Sequence, residues 1–179
     1  MELKEQMVSS KTIFEGHIVK LTLDQARLPD GNLASREVVY HPGGVAVLAL
    51  DETQQVYLVQ QYRYPIQQML TELPAGKLDH NGEDVLEAAK RELSEETGLE
   101  ANKWTYLGHT LASPGFCTEA LHMYLAQDLT RKEQHLDADE FLDVLTMPFD
   151  TLVQQVMDGT ITDAKTVATT LKVKVLLGL

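Results

Sequence analysis

Glu92, Glu95 and Glu96 set three carboxylates within five positions of a stretch that otherwise reads as an amphipathic helix. At about 100° per residue, Leu86, Ala89 and Leu93 fall within roughly 60° of one another and form an apolar stripe. Glu96 lies about 80° to one side of Leu86, with Glu92 and Glu95 further round, so the acids share one arc beside the buried face. Like charges three and four residues apart repel. A divalent cation relieves that conflict, because hard oxygen donors suit Mg2+ or Mn2+. Glu83 and Asp84 favour the positive end of such a helix, and Gly98 supplies the left-handed residue that closes it. Cation binding is one use of the arc. The commoner use of a bare E-x-x-E-E is a solvated acidic face with Lys90 and Arg91 as local partners.

A longer string narrows the choice. Glu83, seven residues, Arg91-Glu92-Leu93, one residue, Glu95-Glu96, one residue, Gly98-Leu99 resembles the Nudix box, a signature of hydrolases that cleave nucleoside diphosphates linked to another group. Gly76 and Glu83 are separated by six residues, one more than the usual pattern. The extra residue reads as an insertion around His80, Asn81 and Gly82, a turn-rich stretch where length is tolerated. The spacing from Arg91 to Leu99 is untouched.

The rest of the chain has to hold that helix in place. Its 179 residues, 44% of them hydrophobic, suffice for one buried domain and a small appendage. A net charge of −12 argues against nucleic acid as a partner. A phosphorylated substrate on so acidic a protein requires bound cations and a few placed Arg or Lys. The single Cys117 excludes an intramolecular disulfide and fits a reducing compartment; no base is paired with it in sequence, so it reads as a passive thiol. The longest apolar run, residues 45–50, is too short for a membrane span. The N-terminus lacks the apolar core of a signal peptide, and the cytoplasm is the expected compartment. The six His show no metal-ligand spacing.

Alternation over residues 11–28, a turn at Pro29-Asp30-Gly31-Asn32 and a second alternating run over 33–41 predict a β-hairpin-like unit too small to stand alone. Residues 45–50 read as a central strand. Further strands are expected over 55–62, 69–73, 104–111, 121–126 and 141–147, and helices over 149–158 and 163–177. Residues 130–140 are charged and expected to form a mobile loop. This order predicts a mixed sheet between helices. The resemblance implies an α/β fold, the Nudix-type α/β/α sandwich, over residues 42–179. For residues 1–41 it implies a small N-terminal β-strand unit that serves dimerisation and substrate lining.

Several pieces outside the box are similar to the ADP-ribose pyrophosphatase branch of the family: Gln61-Tyr62-Arg63, Glu72-Leu73-Pro74-Ala75-Gly76, Ser113-Pro114-Gly115-Phe116 and Asp139-Glu140-Phe141. The resemblance implies metal binding by Glu92, Glu96, the main-chain carbonyl of Ala75 and Glu95, with Mg2+ or Mn2+ as cofactor. It implies substrate contacts from Arg36, Glu37, Arg63, Lys77, Gly115, Phe116 and Glu119, and a homodimer that exchanges its N-terminal strands. Glu140 matches a loop carboxylate that acts as general base or as ligand of a further metal, with Asp137 and Asp139 as substitutes; Glu95 is a second catalytic candidate. The implied reaction is hydrolysis of the pyrophosphate of ADP-ribose, a small nucleotide-sugar, to AMP and ribose 5-phosphate. Alternatives are a GDP-sugar or oxidised-nucleotide hydrolase, or a non-catalytic ADP-ribose sensor. Arg63 has a plainer alternative as an ion-pair partner of Glu72, and Arg91 reads as a structural partner of nearby carboxylates.

Overall fold

The computed structural model describes residues 3–78, 82–136, 138 and 140–178. The expected insertion lies outside these apart from Gly82, as do the candidate bases Asp137 and Asp139. The chain divides into two compact units, one of Met1–Gly43 with Leu111–Ala120, the other of Gly44–Thr110 with Leu121–Leu179.

The larger unit is a mixed α/β sandwich. Its strands are β4 (Gly44–Leu50), β5 (Gln55–Arg63), β6 (Gln68–Glu72), β7 (Ala75–Lys77), β8 (Leu99–Leu111), β9 (Ala120–Arg131) and β10 (Leu142–Pro148), and its helices are α1 (Val85–Thr97), α2 (Phe149–Met157) and α3 (Ala164–Leu177). Five strands run in the order β10-β5-β4-β9-β8, with β4 and β9 parallel. Strand β4 is fully buried because both of its faces are covered. Val45, Val47 and Ala49 meet Ala88, Ala89 and Leu93 of α1, whereas Leu48 and Leu50 pack with Phe149, Leu152 and Val173 of α2 and α3.

A split in this sheet prepares the site. Strands β4 and β5 pair only through Ala49–Tyr57 and Leu50–Val56. Beyond that point β6 pairs with β5 and β7 pairs with β4, so the stretch from Glu72 to Gly76 bends between them. Strand β7 has no counterpart among the strands read from the sequence. At three residues with a central glycine it carries no alternation to read, and its pairing with β4 makes it a strand. Strand β8 begins at Leu99, directly after the helix cap, rather than near Trp104, since polar Glu100, Asn102 and Lys103 mask its start.

The smaller unit holds β1 (Gln6–Glu15), β2 (Lys20–Arg27) and β3 (Leu33–Tyr40) as an antiparallel meander. The single run read over residues 11–28 is two strands, separated by a turn in which Gly16 N–H donates to Val19 O at 3.0 Å. Ile18 and Val19 continue the apolar alternation across that turn and conceal it. Every residue of β1 is exposed, and its register with β2 slips at Val8 and at Ile13, the signature of bulges. Residues 111–120 group with this unit, although the sequence reading placed them in the 42–179 domain. Val39 N–H donates to Phe116 O at 2.7 Å, and Thr118 N–H donates to Val39 O at 2.9 Å, so β3 takes the segment as a partner.

Candidate active site

Helix α1 is fixed at both ends. The Asp84 carboxylate accepts from Leu86 N–H and Glu87 N–H, and Gly98 closes the helix at φ 65°. Its last carbonyls would otherwise lack donors. Lys132 N–H serves Gly98 O at 2.6 Å, His135 N–H serves Glu95 O at 3.1 Å, and the Gln134 amide serves Glu96 O at 2.6 Å. These bonds moor the charged loop to the end of α1 that bears the acids.

The arc of acids divides on folding. Glu92 and Glu96 are only 6% and 2% exposed, while Glu95 remains half-buried. A solvated acidic face is therefore excluded for the first two. Glu96 Oε2 accepts from Ala75 N–H at 2.8 Å, which pins the corner to the helix. The Glu92 carboxylate lies directly over Gly76, where a Cβ would come within 2.0 Å of Glu92 Oε1. Any side chain at Gly76 would have to displace that carboxylate.

Arg91 is an organiser on the same helix. Its Nη1 donates to Glu92 Oε1 at 2.8 Å and to Glu95 Oε2 at 3.0 Å, its Nη2 donates to Lys77 O at 3.3 Å, and its Nε lies 3.5 Å from Glu83 Oε1. Burial still dominates Glu92 and pushes it up to about 7 against the pull of Arg91, with Glu95 and Glu140 adding repulsion. Glu96 is pushed up to about 8, again by burial first; the Ala75 N–H opposes, Glu92 and Glu140 add to the rise, and Arg63 opposes. Glu140 is thus close enough for its charge to act on both buried acids.

A second buried acid stands at the other end of the corner. Glu72 is 1% exposed and accepts from Arg63 Nε and Nη2, both at 2.7 Å, and from Lys165 Nζ. Burial favours its neutral form, but the Arg63 hydrogen bonds and the Lys165 charge outweigh it and hold Glu72 below the usual carboxylate range. The plainer alternative for Arg63 is thus present in the structure. Sequence reasoning missed Lys165, Asp163 and Thr166 in this role, because 93 residues separate Lys165 from Glu72 and no periodicity links them.

The donors offered near the corner are all oxygens: Glu92, Glu96, Glu95 and the Ala75 carbonyl. Among the described residues no three Asp, Glu, His or Cys side chains are grouped closely enough to hold an ion by themselves. Oxygen donors of this kind suit a hard divalent cation. Two desolvated acids with raised pKa values are also what a cation would discharge, so the residues fit one.

The remaining sequence candidates, apart from Lys77, fall in the smaller unit. Arg36, on β3, is held by Glu5 through Nε at 3.0 Å and Nη2 at 2.7 Å, with Glu37 beside it. Gly115, Phe116 and Glu119 lie in the segment bonded to β3, and Glu119 stands 3.6 Å from His41 Nδ1. Lys77 is exposed at the end of β7.

A buried acid pair over a strand corner, carried by an α/β/α sandwich, agrees with the families matched. A NUDIX domain covers residues 40–169, and a nucleoside diphosphate sugar hydrolase N-terminal domain covers residues 5–39. The chain belongs to the Nudix hydrolases, enzymes that depend on divalent metal. It is 38% identical over 166 residues to an ADP-ribose pyrophosphatase of Bacillus subtilis (strain 168), covering 92% of this chain and 89% of the relative. It is 42% identical over 166 residues, with the same coverage, to a methanol dehydrogenase activator of Bacillus methanolicus. A GDP-mannose pyrophosphatase of Cronobacter sakazakii is 33% identical over 181 residues, 93% of each chain. The crystal structure of an ADP compounds hydrolase shares the fold with a TM-score of 0.85 at 23% identity, covering 98% of this chain and 95% of that one.

Proposed function

We propose that the protein hydrolyses the pyrophosphate of ADP-ribose to AMP and ribose 5-phosphate. The observation that carries this reading is the pair Glu92 and Glu96, buried on α1 and aimed at the Ala75–Gly76 corner. A sensor that only binds has no use for two desolvated carboxylates that repel each other. The ADP-ribose pyrophosphatase relative and the nucleoside diphosphate sugar hydrolase N-terminal match support the choice of substrate.

In this reading Glu92, Glu96 and the Ala75 carbonyl, helped by Glu95, hold Mg2+, with Mn2+ as substitute. A bound divalent cation supplies positive charge against the two phosphates and acidifies water. Glu140 takes the proton of the attacking water or serves as a further ligand. Arg63 presents the guanidinium edge not used by Glu72 to a phosphate, and Lys77 adds a second cationic contact. Arg36 and Glu37 hold the nucleoside end, and Gly115, Phe116 and Glu119 hold the terminal ribose. The exposed apolar residues of β1, Met7, Val8, Ile13 and Phe14 among them, support a homodimer formed through residues 1–41. No described helix is long and apolar enough to cross a membrane; with its lone thiol, the enzyme is assigned to the cytoplasm.

The GDP-mannose pyrophosphatase relative favours a second reading, hydrolysis of a GDP-sugar. Turnover of ADP-ribose, GDP-mannose and an oxidised guanosine triphosphate, each with Mg2+ and with Mn2+, discriminates them. ADP-ribose is expected to give the highest kcat/KM with AMP as product; faster GDP-mannose cleavage would replace the reading, and no cleavage of any of them would end it.

A further inference from the structure

The geometry points to Lys165 of α3 as a positioning residue that sets the phosphate-binding edge of Arg63 through the carboxylate of Glu72. This rests on the reading of Arg63 as a phosphate contact.

Arg63 and Glu72 are not cross-strand neighbours. In the β5–β6 ladder Arg63 faces Gln68, while Glu72 faces Val59, four residues further along β5. At about 3.3 Å per residue the two backbone positions are roughly 13 Å apart, so the Arg63 side chain has to fold back along the sheet to reach Glu72. Folding back brings the guanidinium towards the corner, where it feels the charge of Glu96. Its Nε and Nη2 are both engaged by Glu72. A planar fork bound by that edge must turn Nη1 away from Glu72, and the side chain stays 40% exposed.

What fixes the plane of that fork is the carboxylate opposite it, and Lys165 fixes the carboxylate. Lys165 Nζ bonds Glu72 Oε2, the same oxygen that accepts Arg63 Nη2, and lies 3.0 Å from Asp163 Oδ1. Asp163 is itself immobilised as the cap of α3, accepting from Thr166 N–H at 3.0 Å and from the Thr166 hydroxyl at 2.6 Å. Thr166 Oγ1 also accepts from Leu73 N–H at 2.9 Å, next to Glu72 in the chain. The relay Asp163, Lys165, Glu72, Arg63 therefore runs from a helix cap to the exposed guanidinium with a charged hydrogen bond or ion pair at each step. Lys165 is 8% exposed, so water cannot replace it readily. Without it, one oxygen of Glu72 loses a charged partner and the carboxylate is free to rotate, carrying Arg63 with it.

The test measures kcat and KM for ADP-ribose, the Ki of inorganic pyrophosphate and the Tm for the full chain and for Lys165→Met, Arg63→Gln and the double variant. Lys165→Met is expected to raise KM and the pyrophosphate Ki about tenfold while kcat stays within about threefold. In the Arg63→Gln background it is expected to raise neither further, since its effect is transmitted through Arg63. Independent, multiplying effects of the two substitutions, or a lowered Tm with unchanged KM and Ki, would overturn the proposal. If Lys165→Met does not fold, Asp163→Asn loosens the same anchor and is expected to shift KM and Ki in the same direction by about threefold; no shift overturns the proposal equally. Should the wild type not cleave ADP-ribose, the substrate reading fails by itself, and calorimetric binding of pyrophosphate to the same four proteins still reads the coupling.

Discussion

Glu72 and the pair Glu92 and Glu96 lie at opposite ends of one bend in the chain, and all three are buried, yet their protonation is driven in opposite directions. Glu72 has two cations bonded to it and is held below the usual range. Glu92 has only a share of Arg91, Glu96 has a neutral amide, and burial raises both. A saturated buried acid builds a scaffold, whereas an under-compensated one marks where positive charge is to arrive.

Neutralising one member of each set is the strongest way to break the comparison. Glu96→Gln keeps the hydrogen bond from Ala75 and removes a repelling charge, so kcat is expected to fall by about three or more orders of magnitude with Tm unchanged or raised; near-normal turnover would remove the cation argument. Glu72→Gln does the reverse. It leaves Arg63 and Lys165 without their counter-charge, and chemical denaturation is expected to show a loss of about 3 kcal/mol. An equal loss from Glu96→Gln would erase the distinction.

A third test sharpens the comparison by pH. Glu92 and Glu96 are raised from 4.5 to about 7 and about 8. Between those limits the folded chain holds more protons than the unfolded one, so stability in chelator falls as pH rises from about 4.5 to 8. Glu72 acts oppositely: its contribution is present above the ordinary carboxylate range and is lost as pH falls through its lowered folded value. Thermal melts across pH 4.5–8.5 in chelator should slope downward, and added Mg2+ should flatten them by binding the deprotonated pair. A flat profile in chelator would contradict the raised values.

Helix α1 was legible from local chemistry, since the apolar stripe, Asp84, Gly98 and the acids all lie within fifteen residues. Helices α2 and α3 were equally plain from their periodicity, although Asp163, read as the first residue of α3, is its cap. The burial of Glu92 and Glu96 was not readable, because it depends on Gly76 lying beneath one carboxylate and Ala75 against the other. The Arg63–Glu72 pair was visible as an alternative because the two are nine residues apart, but Lys165 comes from a helix that declares nothing about its partner. The turn at Gly16 was hidden by its own apolar residues, and the partner of residues 111–120 was hidden by distance in the chain.

The bend from Glu72 to Gly76 is tied by Arg63 from one strand, Val47 from another, Glu96 from α1 and Lys165 with Thr166 from α3. A chain emerging from the ribosome owns the acidic helix long before it owns the last of these tethers. Its clamp on Arg63 is complete only after residue 165 has left the exit tunnel, so in an unfinished polypeptide the Arg63–Glu72 pair still lacks its anchor on α3.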